Sequence, residues 1–278
     1  MSGAELVRTA IEVRKRLMQL IYEAKAGHTG GSLSSVDILV ALYFSILKHD
    51  PSNPKWENRD RFILSKGHSV EGFYCVLQKA GYFSEEVLSS YGSYNAPLAG
   101  HPTMNVPGVE LNSGSLGHGL SVATGMALSF KRDSRTNRVF VLMGDGEQGE
   151  GSIMEASNAA SHYKLDNLTA IIDRNRLQIS GFTEDVMSLE SLEARWSAYG
   201  WAVKQIDGNN MPEILNTLKS VPLKKNKPSL VIANTTKGKG VSFIENNAAW
   251  HHKVPDEKQY REAQRELDKL LEEMNYVK

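Results

Sequence analysis

Cysteine is almost missing: Cys75 stands alone in 278 residues, so no internal disulfide can form and a reducing, cytoplasmic location is expected. Cys75 lies in the apolar run Phe73 to Leu77 and reads as a packed core thiol rather than a nucleophile. No apolar run is long enough to span a bilayer. The stretch Met1 to Arg16 carries charges on a helical pattern instead of a signal peptide's apolar centre. Neither sign of charge is in excess, with 32 Lys plus Arg against 32 Asp plus Glu, which removes the electrostatic case for nucleic acid or an anionic membrane as partner. Repeats and low-complexity tracts are absent too. The hydrophobic content, 41% of residues, suffices for one extended domain over 1–278.

Periodicity predicts a helix from Ala4 to Ala26, an apolar helix from caps at Ser34 and Ser35 to near Lys48, a strand at Arg61 to Leu64, and a helix ending at Ala80. An irregular segment from Gly81 to Gly108 and a helix to Phe130 follow. Further on come a strand at Val139 to Met143, a helix capped by Ser152 with Glu155, and a strand at Thr169 to Asp173. A helix at Leu189 to Tyr199, a strand at Trp201 to Ile206, a helix opening at Pro212, a strand at Ser229 to Ala233 and a helix from Asp256 to Met274 complete the alternation. This order predicts an α/β fold, a parallel sheet with helices on both faces.

The stretch from Val139 to Gly181 is central. Strand, acidic glycine loop and helix follow in order, and ligands in open α/β sheets bind at such strand ends. Gly144-Asp145-Gly146-Glu147-Gln148-Gly149 fits the G-x-G-x-x-G pattern of dinucleotide loops. Asp145, Glu147 and Glu150 would, however, repel a bare pyrophosphate, and a divalent cation removes the conflict. Asp145 and Asn175, ending two strands, offer the hard oxygens that Mg2+ takes together with phosphate. A Mg2+–diphosphate site is therefore favoured over a nicotinamide site or a merely structural turn.

His28, His68, His101 and His118 each follow a glycine in a predicted loop, and His251 sits in another, whereas His49 and His162 fall on helical patterns. None shows the i, i+4 pairing of a helical zinc site, so proton handling near neutral pH is the better use.

Several motifs in this order, AGHTGGSLS, LSKGHS, GHP, GSLGHGLSVATGMA, GDGEQGEGSIMEA, DRNRLQISG and TKGKG with WHHK, closely resemble the amino-terminal, diphosphate-binding half of transketolase. The resemblance covers nearly the whole chain and implies thiamine diphosphate with Mg2+ (or Ca2+ or Mn2+) as cofactors, a role in the pentose phosphate pathway, and sugar phosphates as substrates. It implies that Asp145, Asn175 and the Leu177 backbone oxygen bind the metal, and that Gly146, His68 and His251 lie near the diphosphate, with Lys66 and Lys237 as phosphate contacts; solvated surface roles are the alternative for the lysines. Ser115, Leu116, Gly117, His118, Gly144 and Glu147 are implied beside the cofactor, His118 standing where several full-length relatives carry glutamine. His28, His68, His101 and His251 are implied as the catalytic set: His28 and His251 moving the proton of the C3 hydroxyl, His101 holding the C1 hydroxyl. Glu150 and Glu155 match acidic positions at the family's subunit interface, although Glu155 also suits a local cap.

The family's pyrimidine-binding domain has no counterpart in these residues, so a separate C-terminal subunit is expected to supply it, two copies of each forming a heterotetramer. The alternatives are a split transketolase for an unusual ketose (a sulfosugar or branched pentulose), an α subunit of a 2-oxoacid dehydrogenase, and a non-catalytic subunit.

Overall fold

The computed structural model describes residues 1–276. A five-stranded, all-parallel sheet organises it, formed by β1 (Arg61–Leu64), β2 (Val139–Gly144), β3 (Leu168–Arg174), β4 (Ala202–Asp207) and β5 (Ser229–Asn234) in the order β1-β2-β3-β5-β4. Before β1 lie α1 (Gly3–Ala24), α2 (Thr29–Ser34) and α3 (Val36–Ala41); α4 (Val70–Ala80), α5 (Glu85–Ser89) and α6 (His118–Arg132) precede β2. Then come α7 (Gly151–His162), α8 (Thr183–Val186), α9 (Leu192–Ala198), α10 (Met211–Lys219) and α11 (Glu257–Tyr276).

Because side chains alternate along a strand, the sheet feeds two cores. Phe62, Leu64, Phe140, Leu142, Ile171 and Val231 join one with α1, α3, α4 and α10, while Ile63, Val141, Met143, Ala170, Ile172 and Ile232 join the other with α6, α7 and α9. Helices thus cover both faces, as the alternation predicts. Cys75 is buried, and burial pushes its thiol up to about 12, as suits a core residue. Among the described residues no helix is long and apolar enough to cross a membrane.

Three local expectations change. The helix expected from Ser34 and Ser35 to Lys48 is α3 followed by a π-turn at Leu42–Ile46, with a further short helix, α2, before it, and Lys48 and His49 fall beyond its end. Ser34 and Ser35 do not cap: both hydroxyls donate to Gly31 O, and Ser34 also donates to Asp173 Oδ2 at 2.6 Å. Ser152 and Glu155 form no capping box either, because the Ser152 hydroxyl donates to Gly117 O at 2.9 Å, tying two loops instead. The box that does form is at α1, where Ser2 and Glu5 cap each other's backbone N–H.

Candidate active site

Parallel pairing puts the carboxyl ends of β1, β2, β3 and β5 at one edge of the sheet, and the loops leaving them line one cavity of about 480 Å3. Lys66 and His68 follow β1; Asp145, Gly146 and Glu147 follow β2; Asn175 and Leu177 follow β3; Lys237 and His251 follow β5. His28, just before α2, and Leu116, before α6, close the sides.

Glu147 is the tie between loops. Its carboxylate, 1% exposed, accepts from Ser65 Oγ, from Gly117 N at 2.9 Å and from Gly144 N at 2.9 Å. Burial pushes its carboxyl up, and these donors oppose the shift. Gly117 needs its missing side chain: at φ +84° a Cβ would meet Ser152 Oγ at 2.6 Å and Glu150 Cβ at 2.7 Å.

Asp173, fully buried in β3, anchors a second network. It accepts from Lys66 Nζ, Ser34 Oγ, Thr235 Oγ1 and, at 3.4 Å, Asn175 Nδ2. Burial alone would raise its carboxyl, but the Lys66 charge and these hydrogen bonds bring it below the usual range. Lys66 also donates to Gly31 O at 3.0 Å and is 1% exposed. The surface alternative for the lysines thus falls, since Lys237 is equally buried, donating to Leu177 O at 3.1 Å and lying 2.9 Å from His251 Nδ1. Burial, then the Lys66 charge, lowers Lys237 to about 8.

The donor set expected for the metal forms one turn. Asp145 Oδ2 accepts from Arg176 N at 2.6 Å and Oδ1 from Gly146 N at 2.8 Å, while Asn175 Oδ1 accepts from Leu177 N at 3.1 Å. Arg176 takes a left-handed φ of 65° to make this turn. Burial, followed by the charge of Asp173, pushes the Asp145 carboxyl up. Arg174 Nη1 lies 3.4 Å from Asp145 Oδ2, and a buried carboxylate with an amide oxygen and a carbonyl beside it offers the hard oxygens that a divalent cation takes together with phosphate. Among the described residues no group of three His, Cys, Asp or Glu could hold a metal ion.

The histidines do converge. The His28 ring lies 4.5 Å from His252, 5.5 Å from His68, 5.9 Å from His101 and 5.9 Å from His251, and His68 stacks at 5.3 Å on His251. Three of them, His28, His68 and His251, are not poised near neutrality as expected: burial, then neighbouring positive groups, lowers His28 to about 4 and His251 to about 3, and pushes His68 well down. At pH 7 these rings are neutral, able to accept a proton or share a hydrogen bond.

Ser115 and His118 are exposed and do not line the cavity, although Leu116 between them does. Sequence reasoning passed over His252, whose signal was its place in Trp250-His251-His252-Lys253, and over Asp173 and Glu71, which carried none: each sits inside an apolar element pattern.

A parallel α/β domain with loops gathered at strand ends around a cation-competent, histidine-lined cavity defines a cofactor-binding enzyme domain. Residues 7–269 match the family described as transketolase, thiamine diphosphate binding domain, and the chain belongs to the transketolase family. It is 54% identical over 261 residues to an apulose-4-phosphate transketolase subunit of Phocaeicola vulgatus, covering 94% of this chain and 93% of that one. It is 41% identical to the 6-deoxy-6-sulfo-D-fructose transketolase subunit SqwG of a Clostridium species, covering 95% and 97%. The crystal structure of transketolase from Campylobacter jejuni superposes with a TM-score of 0.89 at 32% identity, over 95% of this chain and 43% of that one. The family assignment favours transketolase chemistry over the 2-oxoacid dehydrogenase and nicotinamide readings.

Proposed function

We propose that this chain is the thiamine diphosphate-binding subunit of a split transketolase, moving a two-carbon ketol unit from a ketose phosphate to an aldose phosphate. The observation that carries this reading is the meeting, in one cavity, of the hard-oxygen turn of Asp145, Asn175 and Leu177 with His28, His68 and His251. Thiamine diphosphate, when bound, supplies the electron sink for carbon–carbon cleavage. Asp145, Asn175 and the Leu177 carbonyl would hold its Mg2+ (or Ca2+ or Mn2+), and Gly146, His68, Lys66 and Lys237 would meet the diphosphate. Lys237 would then have to release Leu177 O, its present acceptor. Lys66, with two acceptors already made, would reach a phosphate only with its remaining hydrogen. His28 and His251, neutral at pH 7, take the proton of the donor's C3 hydroxyl as the bond breaks and return it to the acceptor's oxygen. His101 holds the C1 hydroxyl.

The donor we favour is apulose 4-phosphate, a branched pentulose phosphate, supported by the higher identity to the relative named for it than to the sulfosugar relative. The pyrimidine-binding surface would come from a separate subunit, two copies of each, acting in the cytoplasm. Support lies in the relatives, described as subunits and matched over 93% and 97% of their lengths, whereas the chain covers only 39% of the human transketolase. Further support is an apolar cluster, Ile179, Phe182, Val186 and Met187, exposed just beyond the metal turn. The test is co-purification with the product of an adjacent gene, then a screen of ketose phosphates with Mg2+ and thiamine diphosphate. With an aldose phosphate present as acceptor, failure of every ketose phosphate to leave the carbonyl product of C2–C3 cleavage, an aldehyde from an unbranched donor or dihydroxyacetone phosphate from a donor branched at C3, overturns the reading.

A further inference from the structure

Glu71, in the first turn of α4, is fully buried and plays no part in the chemistry above. Three donors point at its carboxylate: Ser32 Oγ at 2.8 Å, Tyr91 OH at 2.9 Å and the backbone N of His28 at 3.1 Å. The chain is pressed onto it, since a Cβ on Gly27, at φ +150°, would lie 2.9 Å from Glu71 Oε1. Such a donor set suits an ionised acceptor, although burial pushes the carboxyl up.

His28 Nδ1 is buried without a hydrogen-bond partner, and the acceptor it faces is Glu71 Oε1, 4.0 Å away. That separation exceeds a hydrogen bond but leaves a direct electrostatic contact. A lone pair on Nδ1 would confront the carboxylate oxygen, whereas an N–H there is attracted to it. With Nδ1 turned inward, Nε2 is left to the cavity that His28 lines. Burial, then the neighbouring His252, His101, Lys237 and Lys66, with His68 and His251 also facing the ring, keeps it neutral, so the choice between tautomers decides whether Nε2 is a base or a donor.

We propose that Glu71 is a positioning residue that fixes His28 with its hydrogen on Nδ1, so that the Nε2 lone pair faces the cavity and receives the substrate's proton. Its kinetic consequence rests on the function proposed above; the tautomer does not. The same logic orders a carboxylate behind any histidine base, where a wrong tautomer leaves geometry intact and removes catalysis.

The full chain, labelled with 15N-histidine, is examined by long-range 1H–15N NMR at pH 7, as wild type, Glu71→Gln and Glu71→Leu. The wild type should show neutral His28 protonated on Nδ1, assigned by its absence in His28→Gln. Glu71→Gln, which keeps an acceptor oxygen, should retain that form, and Glu71→Leu should lose it. In the assembled enzyme, Glu71→Leu should lower kcat by about 100-fold, the scale of a lost general base, with thiamine diphosphate affinity within about twofold, and Glu71→Gln should restore most of the rate. Protonation on Nε2 in the wild type, or an unchanged tautomer in Glu71→Leu, overturns the proposal. Should the leucine variant not fold, the wild-type and glutamine spectra decide it. Absence of ketol transfer by the wild type with its partner would count against the proposed function and leave the tautomer result standing.

Discussion

Replacing Asp173 by alanine should destabilise the fold by about 3–5 kcal/mol, the scale for leaving one member of a buried ion pair without its partner. Lys66, 1% exposed, would keep only the carbonyl of Gly31, and Ser34, Thr235 and Asn175 would each lose an acceptor. An independent bound comes from the alternative open to any stranded lysine, release of its proton. From an ordinary value of about 10.4, that costs about 4–5 kcal/mol at pH 7 and about 2 kcal/mol at pH 9. The variant's folded state would then bind one proton fewer than its unfolded state, so its deficit should shrink as pH rises. Lys66→Met/Asp173→Leu, which removes both charges, should lose less than Asp173→Ala alone. Urea unfolding followed by circular dichroism at pH 7 and pH 9 gives all three values. A loss under about 1 kcal/mol at pH 7, a deficit undiminished at pH 9, or a double variant weaker than the single would each refute the reasoning.

Asp145→Ala should abolish Mg2+-dependent binding of thiamine diphosphate in the assembled enzyme while leaving the circular dichroism spectrum intact; unchanged calorimetric affinity would sink the metal assignment. His101→Ala should lower turnover far more than cofactor affinity, and an equal loss in both would show that His101 is misplaced. Folded His28 and His251 lie at about 4 and about 3, below the value of about 6.5 for a free imidazole. The unfolded chain therefore takes up more of these protons as pH falls below that value, and their neutral burial costs stability increasingly towards pH 4. The raised carboxyls of Asp145, Glu147 and Glu71 act in the opposite sense. Imidazole NMR signals of His28 and His251 should accordingly stay flat from pH 8 to 5.5, and a midpoint near 6.5 for either contradicts the burial argument.

The sheet was readable because a parallel strand buried on both faces is a short continuous apolar run, and Val139 to Met143 and Ser229 to Ala233 are such runs bounded by glycine or polar loops. Helix ends were less readable. Ser34 and Ser152 look like caps locally, yet each hydroxyl is taken by a distant partner, Asp173 or Gly117, that only the tertiary fold brings near. The convergence of His68 and His251 could be inferred because they follow β1 and β5, which end at the same edge of the sheet, whereas His28, after α1, and His101, in the irregular segment after α5, are brought to them only by the tertiary fold. Their charge state could not, since it depends on burial and on Lys66 and Lys237, whose inward course has no signature in the sequence. Glu71 was hidden for the same reason: a carboxylate in the first turn of a helix ordinarily reads as a solvated group favouring the helix dipole, and here it is sealed beneath His28.

The surface beyond the metal turn yields the last prediction. The segment from Leu177 to Glu190 is fixed from within, by a bridge between Leu177 and Phe182, by Gln178 N donating to Gly181 O at 2.8 Å, and by Arg174, which reaches Thr183 at 2.6 Å, Glu184 at 2.7 Å and Glu190 at 2.9 Å. None of these bonds involves the Phe182 ring, which is 55% exposed between Ile179 at 73% and Met187 at 65%. Ordered backbone carrying adjacent exposed apolar side chains is the form of a docking surface rather than of a loose loop. Because the turn of Asp145 and Asn175 lies at its root, a partner seated there would also be placed to complete the cavity. Phe182→Glu should therefore leave the chain folded, with a thermal midpoint within about 2 °C, since an exposed substitution free of special features changes stability by no more than about 0.5 kcal/mol. It should nevertheless prevent assembly with the proposed pyrimidine-domain subunit, because a carboxylate would have to be buried without a partner. Size-exclusion chromatography of the mixed subunits reads this directly, and a variant that assembles like the wild type would show that the partner seats elsewhere.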